Sequence, residues 1–222
     1  MFHGPFDTLK RVADQPQSSI ERARRWETLY VGHDPTLLSW YQEEPTLSLE
    51  LLDLLDVAVN TAVIDVGGGA SRLVDRLLAR GFSDVTVLDQ SPTALEVSRE
   101  RVSEIGPANW IAHDLLSWHP TRRYGLWHDR AAFHFFTGAE IDAYLGLLDR
   151  TLASDGAVIL GTFAPDGPQY CSGFPTHRYD AGELVSLLGV TFEVVAQRRE
   201  IHYTPEGVAQ PFTWVAARRT TD

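Results

Sequence analysis

Apolar residues recur at helical spacing from Ser18 to Tyr30, where Ile20, Ala23, Trp26 and Tyr30 share one stripe and Ser18 or Ser19 can cap the first turn. A turn at Gly32-His33-Asp34-Pro35 and the pair Trp40-Tyr41 then lead past Pro45 into a leucine-rich helix over Leu47–Leu55. From Ala62 the pattern alternates. Strands are predicted at Ala62–Val66, Val85–Leu88 and Trp110–Ala112, with helices at Ser71–Arg80 and Pro92–Ile105 between them. The second half continues with a strand at Leu126–His128, a helix at Ala139–Leu152, a strand at Ala157–Phe163 and a helix at Ala181–Leu188. Two further β segments, Phe192–Glu200 and Phe212–Arg218, are joined through Thr204-Pro205-Glu206-Gly207 as an antiparallel pair.

This order predicts an α/β fold: one Rossmann-like domain with a seven-stranded, mostly parallel sheet, its last strand antiparallel, and helices on both faces. Residues 1–45 are expected to form an N-terminal helical cap and residues 46–222 the core, with a loosely structured lead-in up to about Ser19. At 222 residues a single core suffices without disulfides.

Charge and cysteine content narrow the function. A net charge of -11, from 30 acidic and 19 basic side chains, repels polyphosphates, so nucleic acid is not an expected partner. One cysteine, Cys171, excludes an internal disulfide and a thiolate-rich metal site, and no His/Cys cluster suggests a metal. No apolar run reaches membrane-spanning length, and a cytoplasmic monomer is the default expectation.

The strongest local signal is Val63-Ile64-Asp65-Val66-Gly67-Gly68-Gly69-Ala70-Ser71, an apolar strand that runs through three glycines into a helix. Glycine permits positive φ and close approach of a ligand, and the helix start offers free N–H groups. A tight βα turn would use glycine too, so the glycines alone do not establish a ligand site. Two acids at later strand ends strengthen it. Asp89 ends the next strand 20 positions after Gly69, where a carboxylate can accept both hydroxyls of a ribose. Asp114 ends the third, where its carboxylate can accept an exocyclic adenine amine while the Leu115 N–H reaches a ring nitrogen. Ligands of open parallel sheets bind outside the carboxyl ends of the strands, so all three features share one crevice. A dinucleotide fingerprint would need glycine at position 72; Arg72 argues against an NAD-dependent oxidoreductase.

In this order the motifs Asp65-Val-Gly-Gly-Gly-Ala-Ser, Leu88-Asp89-Gln90-Ser91 and His113-Asp114-Leu115 resemble those of class I S-adenosylmethionine-dependent methyltransferases. The resemblance covers roughly residues 46 to 218 and implies S-adenosyl-L-methionine as cofactor, with S-adenosyl-L-homocysteine as product. It implies that Asp65 orients the methionine moiety, Gly67, Gly68 and Gly69 pass beneath the cofactor, Asp89 with Gln90 holds the ribose, and His113, Asp114 and Leu115 frame the adenine. Trp40, Asp129 and Arg130 are further candidate cofactor contacts.

Trp127–Ala131, together with Gly161–Pro168, resembles the thiopurine, thiol and halide methyltransferase branch, whose acceptors are small molecules. The stretch from His128 to Phe135 is also loosely similar to an acidic motif of lysine-targeting methyltransferases, and protein lysine is the alternative acceptor. A non-catalytic cofactor-binding protein is a further alternative. Where the acceptor carries a proton, Asp129 or His134 is the candidate base, with His177 behind them; a thiolate or halide needs none. The acceptor pocket is expected between Trp40, Tyr41, His134, Cys171, His177 and Tyr179, with Trp26 and Tyr30 folded above as in the methyltransferases the chain resembles.

Overall fold

The computed structural model describes residues 19–220. The expected lead-in and the Ser18 cap fall on residues 1–18, outside the described residues. Among the described residues one sheet of seven strands dominates: β1 (Val63–Val66), β2 (Val85–Asp89), β3 (Asn109–Ala112), β4 (Tyr124–Arg130), β5 (Leu152–Phe163), β8 (Phe192–Tyr203) and β9 (Ala209–Arg219). Their spatial order is β3-β2-β1-β4-β5-β9-β8. β1 to β5 pair in parallel, while β9 runs antiparallel to both β5 and β8. This is the Rossmann-like fold expected from the pattern.

Period-2 alternation splits the core into two layers. Val63, Val85, Leu126 and Ile159 face a cluster with α2 (Thr46–Leu54) and α3 (Leu73–Ala79). Ile64, Leu88, Trp127 and Val158 face the other cluster, with α5 (Ala139–Thr151) and α6 (Ala181–Leu188). Helix ends are set by local chemistry. α4 (Pro92–Arg101) starts behind Ser91, whose side chain accepts from the Ala94 N–H, with proline in the first turn. α6 starts at a capping box between Asp180 and Glu183.

β4 and β5 begin earlier than the alternation suggested, at Tyr124 and Leu152, because their pairing continues across an irregularity between Tyr124 and Leu126. The segment after β5 contains a small hairpin of β6 (Tyr170–Cys171) and β7 (Phe174–Pro175). Ser172 and Gly173 both take positive φ, 50° and 77°, the geometry that a two-residue hairpin turn requires. A Cβ on Gly173 would lie 2.0 Å from the Arg25 guanidinium, so glycine here also makes room for α1 (Ser19–Tyr30).

Because strand order reverses between β1 and β4, a crevice opens at the carboxyl ends of the strands there. α1 crosses above it.

Candidate active site

Three chain segments build the floor. The β1 strand delivers Asp65, 2% exposed, directly below the glycine turn. His128, its register partner on β4, donates from Nδ1 to Asp65 Oδ1 at 2.7 Å, and its Nε2 is hydrogen-bonded to Ser48 Oγ of α2 at 2.9 Å. Both contacts fix the carboxylate, while Asp65 Oδ2 is buried with no hydrogen-bond partner. A buried acceptor left open at a crevice is costly unless a ligand donates to it. Gly67 and Gly69 take positive φ, and a Cβ on Gly68 would come within 2.5 Å of that same Oδ2. The turn is therefore a cradle that side chains would fill.

Asp89 ends β2 and accepts the Ser91 N–H at 2.8 Å. Burial pushes its pKa up to about 7; Asp65 and Glu27 add repulsion, against backbone hydrogen bonds from Ser91 and Gln90. Gln90 Oε1 is a second buried acceptor without a partner. Asp114 follows β3, where its Oδ1 accepts the Ser117 N–H at 3.1 Å and shapes a short 3-10 turn that begins at Leu115. The His113 Nδ1 donates to the Asp114 carbonyl at 2.8 Å.

The roof is α1 and the segment behind it. Trp26 stacks on Phe174 with centroids 5.2 Å apart and meets Trp40 and Phe135 edge-on at 5.6 and 5.1 Å. Trp40 Nε1 donates to Tyr30 Oη at 3.2 Å. Three polar ties hold the helix down. Glu27 accepts from Ser91 Oγ at 2.6 Å and from the Thr93 N–H and hydroxyl; burial opposes its ionisation, but these bonds outweigh it and keep its pKa below the usual range. Arg22 pairs with Glu140 of α5 at 2.5 Å, and Arg25 donates to the Ser172 carbonyl at 2.8 Å.

Between floor and roof lie two adjoining spaces. The larger, about 800 Å³, runs from Asp89, Gln90 and Asp114 to Trp26, Phe135 and Cys171. The smaller, about 520 Å³, is lined by Asp65, Gly68, Ser71, Tyr41, Gln42 and His128. Trp40, Tyr30, Gly67 and Arg130 line both.

Residues 63–156 match the family model described as a methyltransferase domain. This stretch is a methyltransferase domain. The unpartnered Asp65 Oδ2, the Gly68 cradle and the Asp89 carboxylate fit S-adenosylmethionine, the cofactor that the sequence motifs imply. The fold of the whole chain is shared with solved methyltransferases. The N-methyltransferase NodS from Bradyrhizobium japonicum, in complex with S-adenosyl-l-homocysteine, superposes with TM-score 0.68 at 16% identity over 91% of this chain and 99% of its own. The 1,6-didemethyltoxoflavin-N1-methyltransferase from Burkholderia thailandensis, with bound 1,6-didemethyltoxoflavin and S-adenosylhomocysteine, gives 0.68 at 20% identity over 95% and 94%. A SAM-dependent methyltransferase from Anabaena variabilis gives 0.70 at 18% identity over 93% and 96%. A sequence search of curated proteins returned no match.

The methyltransferase crevice gathers Asp65, Gly67, Gly68, Asp89, Gln90, His113, Asp114, Leu115, Trp40, Tyr41, Arg130 and Cys171 at its walls, with Gly69 directly beneath, where an added Cβ would lie 2.9 Å from Asp89 Oδ2. Four expected site residues lie elsewhere. Asp129 is fully buried and accepts from the Ala132 and Phe133 N–H groups and from Tyr144 Oη, at 2.9, 3.2 and 2.7 Å. It holds the β4 exit loop, including Ala131 at φ 69°, and does not line the crevice. His134 is fully buried; its Nδ1 accepts the Phe163 N–H at 3.2 Å, and burial, with Arg130 nearby, drives its pKa down to about 3. It is a neutral core histidine. His177 and Tyr179 do not line the crevice: their rings sit tilted against each other with centroids 4.3 Å apart, and their backbone N–H groups donate to the His134 and Phe163 carbonyls respectively. Sequence reasoning missed Ser48, His128, Glu27, Arg22, Phe135 and Phe136 as parts of the site; only the parallel pairing of β1 with β4, which sets Asp65 opposite His128, could have signalled one of them.

Among the described residues no group of side chains could hold a metal, and no helix is long and apolar enough to cross a membrane.

Proposed function

We propose that the protein transfers the methyl group of S-adenosylmethionine to a small-molecule acceptor enclosed under α1, at sulfur, a related soft atom or nitrogen. The observation that carries this reading is the helix held down over the crevice. The roof is tied to α4, α5 and the β6–β7 hairpin by separate polar contacts, and a helix held over the crevice favours a small acceptor over a protein chain. Of the expected cap, residues 1–45, the described part, 19–45, covers the core, which begins at residue 46. The side-by-side ends of β4 and β5, where the Ala131 N–H donates to the Gly161 carbonyl at 2.8 Å, support kinship with the thiopurine, thiol and halide methyltransferases, since both resembling segments meet there.

In this reading Asp65 Oδ2 accepts from the amino group of the methionine moiety. Asp89 and Gln90 take the ribose hydroxyls, and Asp114 with the Leu115 N–H takes the adenine edge. Arg130 reaches the methionine end. The cofactor supplies an electrophilic methyl group on a sulfonium centre. The chain's own work is to hold the acceptor in line with it at about 3 Å and to exclude water. The aromatic faces of Tyr30, Trp26 and Trp40 favour the sulfonium charge.

Isothermal titration calorimetry with S-adenosylhomocysteine tests the reading. Micromolar binding that falls at least tenfold in Asp89→Ala is the expected result; absence of binding to the wild type overturns it.

A further inference from the structure

The glycine turn is held from behind by α4. Ser98 Oγ donates to the Gly69 carbonyl at 2.8 Å. Arg101, one turn further along the same face, donates from Nη1 to the Ala70 carbonyl at 3.2 Å and from Nη2 to the Ser71 carbonyl at 2.6 Å. Its Nη2 also donates to Ser98 Oγ at 3.0 Å, so the two side chains act as one unit, and neither lines the crevice. The guanidinium is itself fixed, because its Nε and Nη2 fork onto the buried Asp75 of α3 at 2.7 and 2.8 Å. The other end of α4 is fixed as well, where Ser91 and Thr93 donate to Glu27.

This clamp answers a difficulty that the glycines create. They give a ligand room, but glycine has more backbone freedom to lose than any other residue, and freedom lost on binding weakens affinity. In a planar trans peptide the carbonyl and the next N–H point in opposite directions. The Gly69 carbonyl is drawn to Ser98, and on the other side of that peptide the Ala70 N–H faces the Tyr30 hydroxyl, which lines the crevice. Tying the carbonyls of Gly69, Ala70 and Ser71 on the α4 side therefore orients the peptides that a ligand meets before it arrives. A lysine would keep a charge opposite Asp75 but lacks the planar fork that reaches two carbonyls and a carboxylate together.

We propose that Arg101, together with Ser98, is a positioning residue for the cofactor: it preorganises the glycine turn from behind without touching the ligand. The inference rests on the S-adenosylmethionine reading of the crevice and deepens it.

Three measurements on the full chain test it: calorimetry with S-adenosylhomocysteine, amide exchange over residues 67–72 of the unliganded protein, and the denaturant unfolding midpoint. In Arg101→Met, affinity is expected to fall about tenfold and exchange at the turn to quicken. Ser98→Ala leaves Asp75 paired and is expected to lower affinity about threefold. Arg101→Lys separates positioning from stability: it should regain much of the midpoint lost in Arg101→Met while affinity stays low. Arg122→Met, which breaks a pair with Asp84 at the opposite end of the sheet, should leave affinity unchanged. Affinity or turn exchange that stays at the wild-type level in Arg101→Met, or affinity that merely follows the midpoint across the variants, overturns the inference while S-adenosylhomocysteine binding still supports the methyltransferase. Should Arg101→Met fail to fold, Ser98→Ala and Arg101→Lys decide by the same readouts. Failure of the wild type to bind S-adenosylhomocysteine is a separate outcome that removes both.

Discussion

Asp65 and His128 stand in register across β1 and β4, with Oδ1 and Nδ1 2.7 Å apart, and this pair aims the other carboxylate oxygen at the crevice. Ser48 completes the line from α2. His128 is thus a positioning residue. Replacing His128 by Ala leaves Asp65 Oδ1 buried without its donor, at a cost of about 1–3 kcal/mol in stability. The same change frees the carboxylate to rotate, and affinity for S-adenosylhomocysteine is expected to fall about tenfold. Denaturant unfolding and calorimetry measure the two effects separately, and Ser48→Ala should reproduce the second in weaker form.

The roof should respond to a single carboxylate. Glu27 accepts three hydrogen bonds at the start of α4, beside Asp89. Glu27→Ala removes this tie while Arg22 and Arg25 keep theirs, so α1 is expected to loosen without global unfolding. Amide exchange over residues 19–30 should quicken, and release of S-adenosylhomocysteine in stopped flow should accelerate by about tenfold, equivalent to roughly 1.4 kcal/mol. Unchanged release would mean that the ligand leaves by a route other than under α1.

Asp89 gives the crevice a pH dependence of defined sign. In the free protein its pKa is about 7, above the ordinary 3.8, so the folded state holds the proton more tightly than the unfolded chain does. Its contribution to stability is therefore fully present at low pH and declines as pH rises from about 4 to about 7. Ligand binding has the opposite sign. Hydroxyl donors favour the ionised carboxylate, so affinity for S-adenosylhomocysteine should rise as pH increases through 7 and the proton should be released on binding. Calorimetry in buffers of different ionisation enthalpy reads that proton, and Asp89→Asn should abolish it.

The glycine turn and the strand-end acids were legible in the sequence because each is a local feature: a strand, a turn and a carboxylate within a few residues. The roof's aromatics were legible only as a composition, since what makes Trp26 a wall is its packing on Phe174 and Phe135, far along the chain. Asp129 and His134 misled for a physical reason. Polar residues at the end of a buried strand serve either a ligand or the exit loop, and sequence does not show where the open N–H groups of that loop point. Here Ala132 and Phe133 point at Asp129, and the Phe163 N–H points at His134. The β6–β7 hairpin was missed because its two-residue strands carry no period to read, though Ser172-Gly173 is a turn signal.

Gly173 connects that hairpin to the roof. At φ 77° any other residue is strained, and a Cβ would also enter the Arg25 guanidinium. Gly173→Ala is expected to cost about 1–2 kcal/mol in stability and to displace Arg25 from the Ser172 carbonyl. Thermal unfolding reads the first effect and faster exchange at α1 the second.

The loop-holding role of Asp129 separates from a catalytic one by experiment. Asp129 accepts three hydrogen bonds, and burial raises its pKa to about 6 against the help of Tyr144 and of the Ala132 and Phe133 backbone. Asp129→Asn keeps one oxygen acceptor but places an amide where a carboxylate oxygen met a hydroxyl, so a loss of about 1–3 kcal/mol in stability is expected. A general base would instead appear in the rate, as a limb of the pH profile of kcat/KM that vanishes in the variant. With Asp129 walled off from the crevice, the profile of Asp129→Asn should keep the wild-type shape, and its activity should recover where a stabilising ligand offsets the lost folding energy. Loss of an acid limb from the profile, with stability intact, would return Asp129 to the reaction.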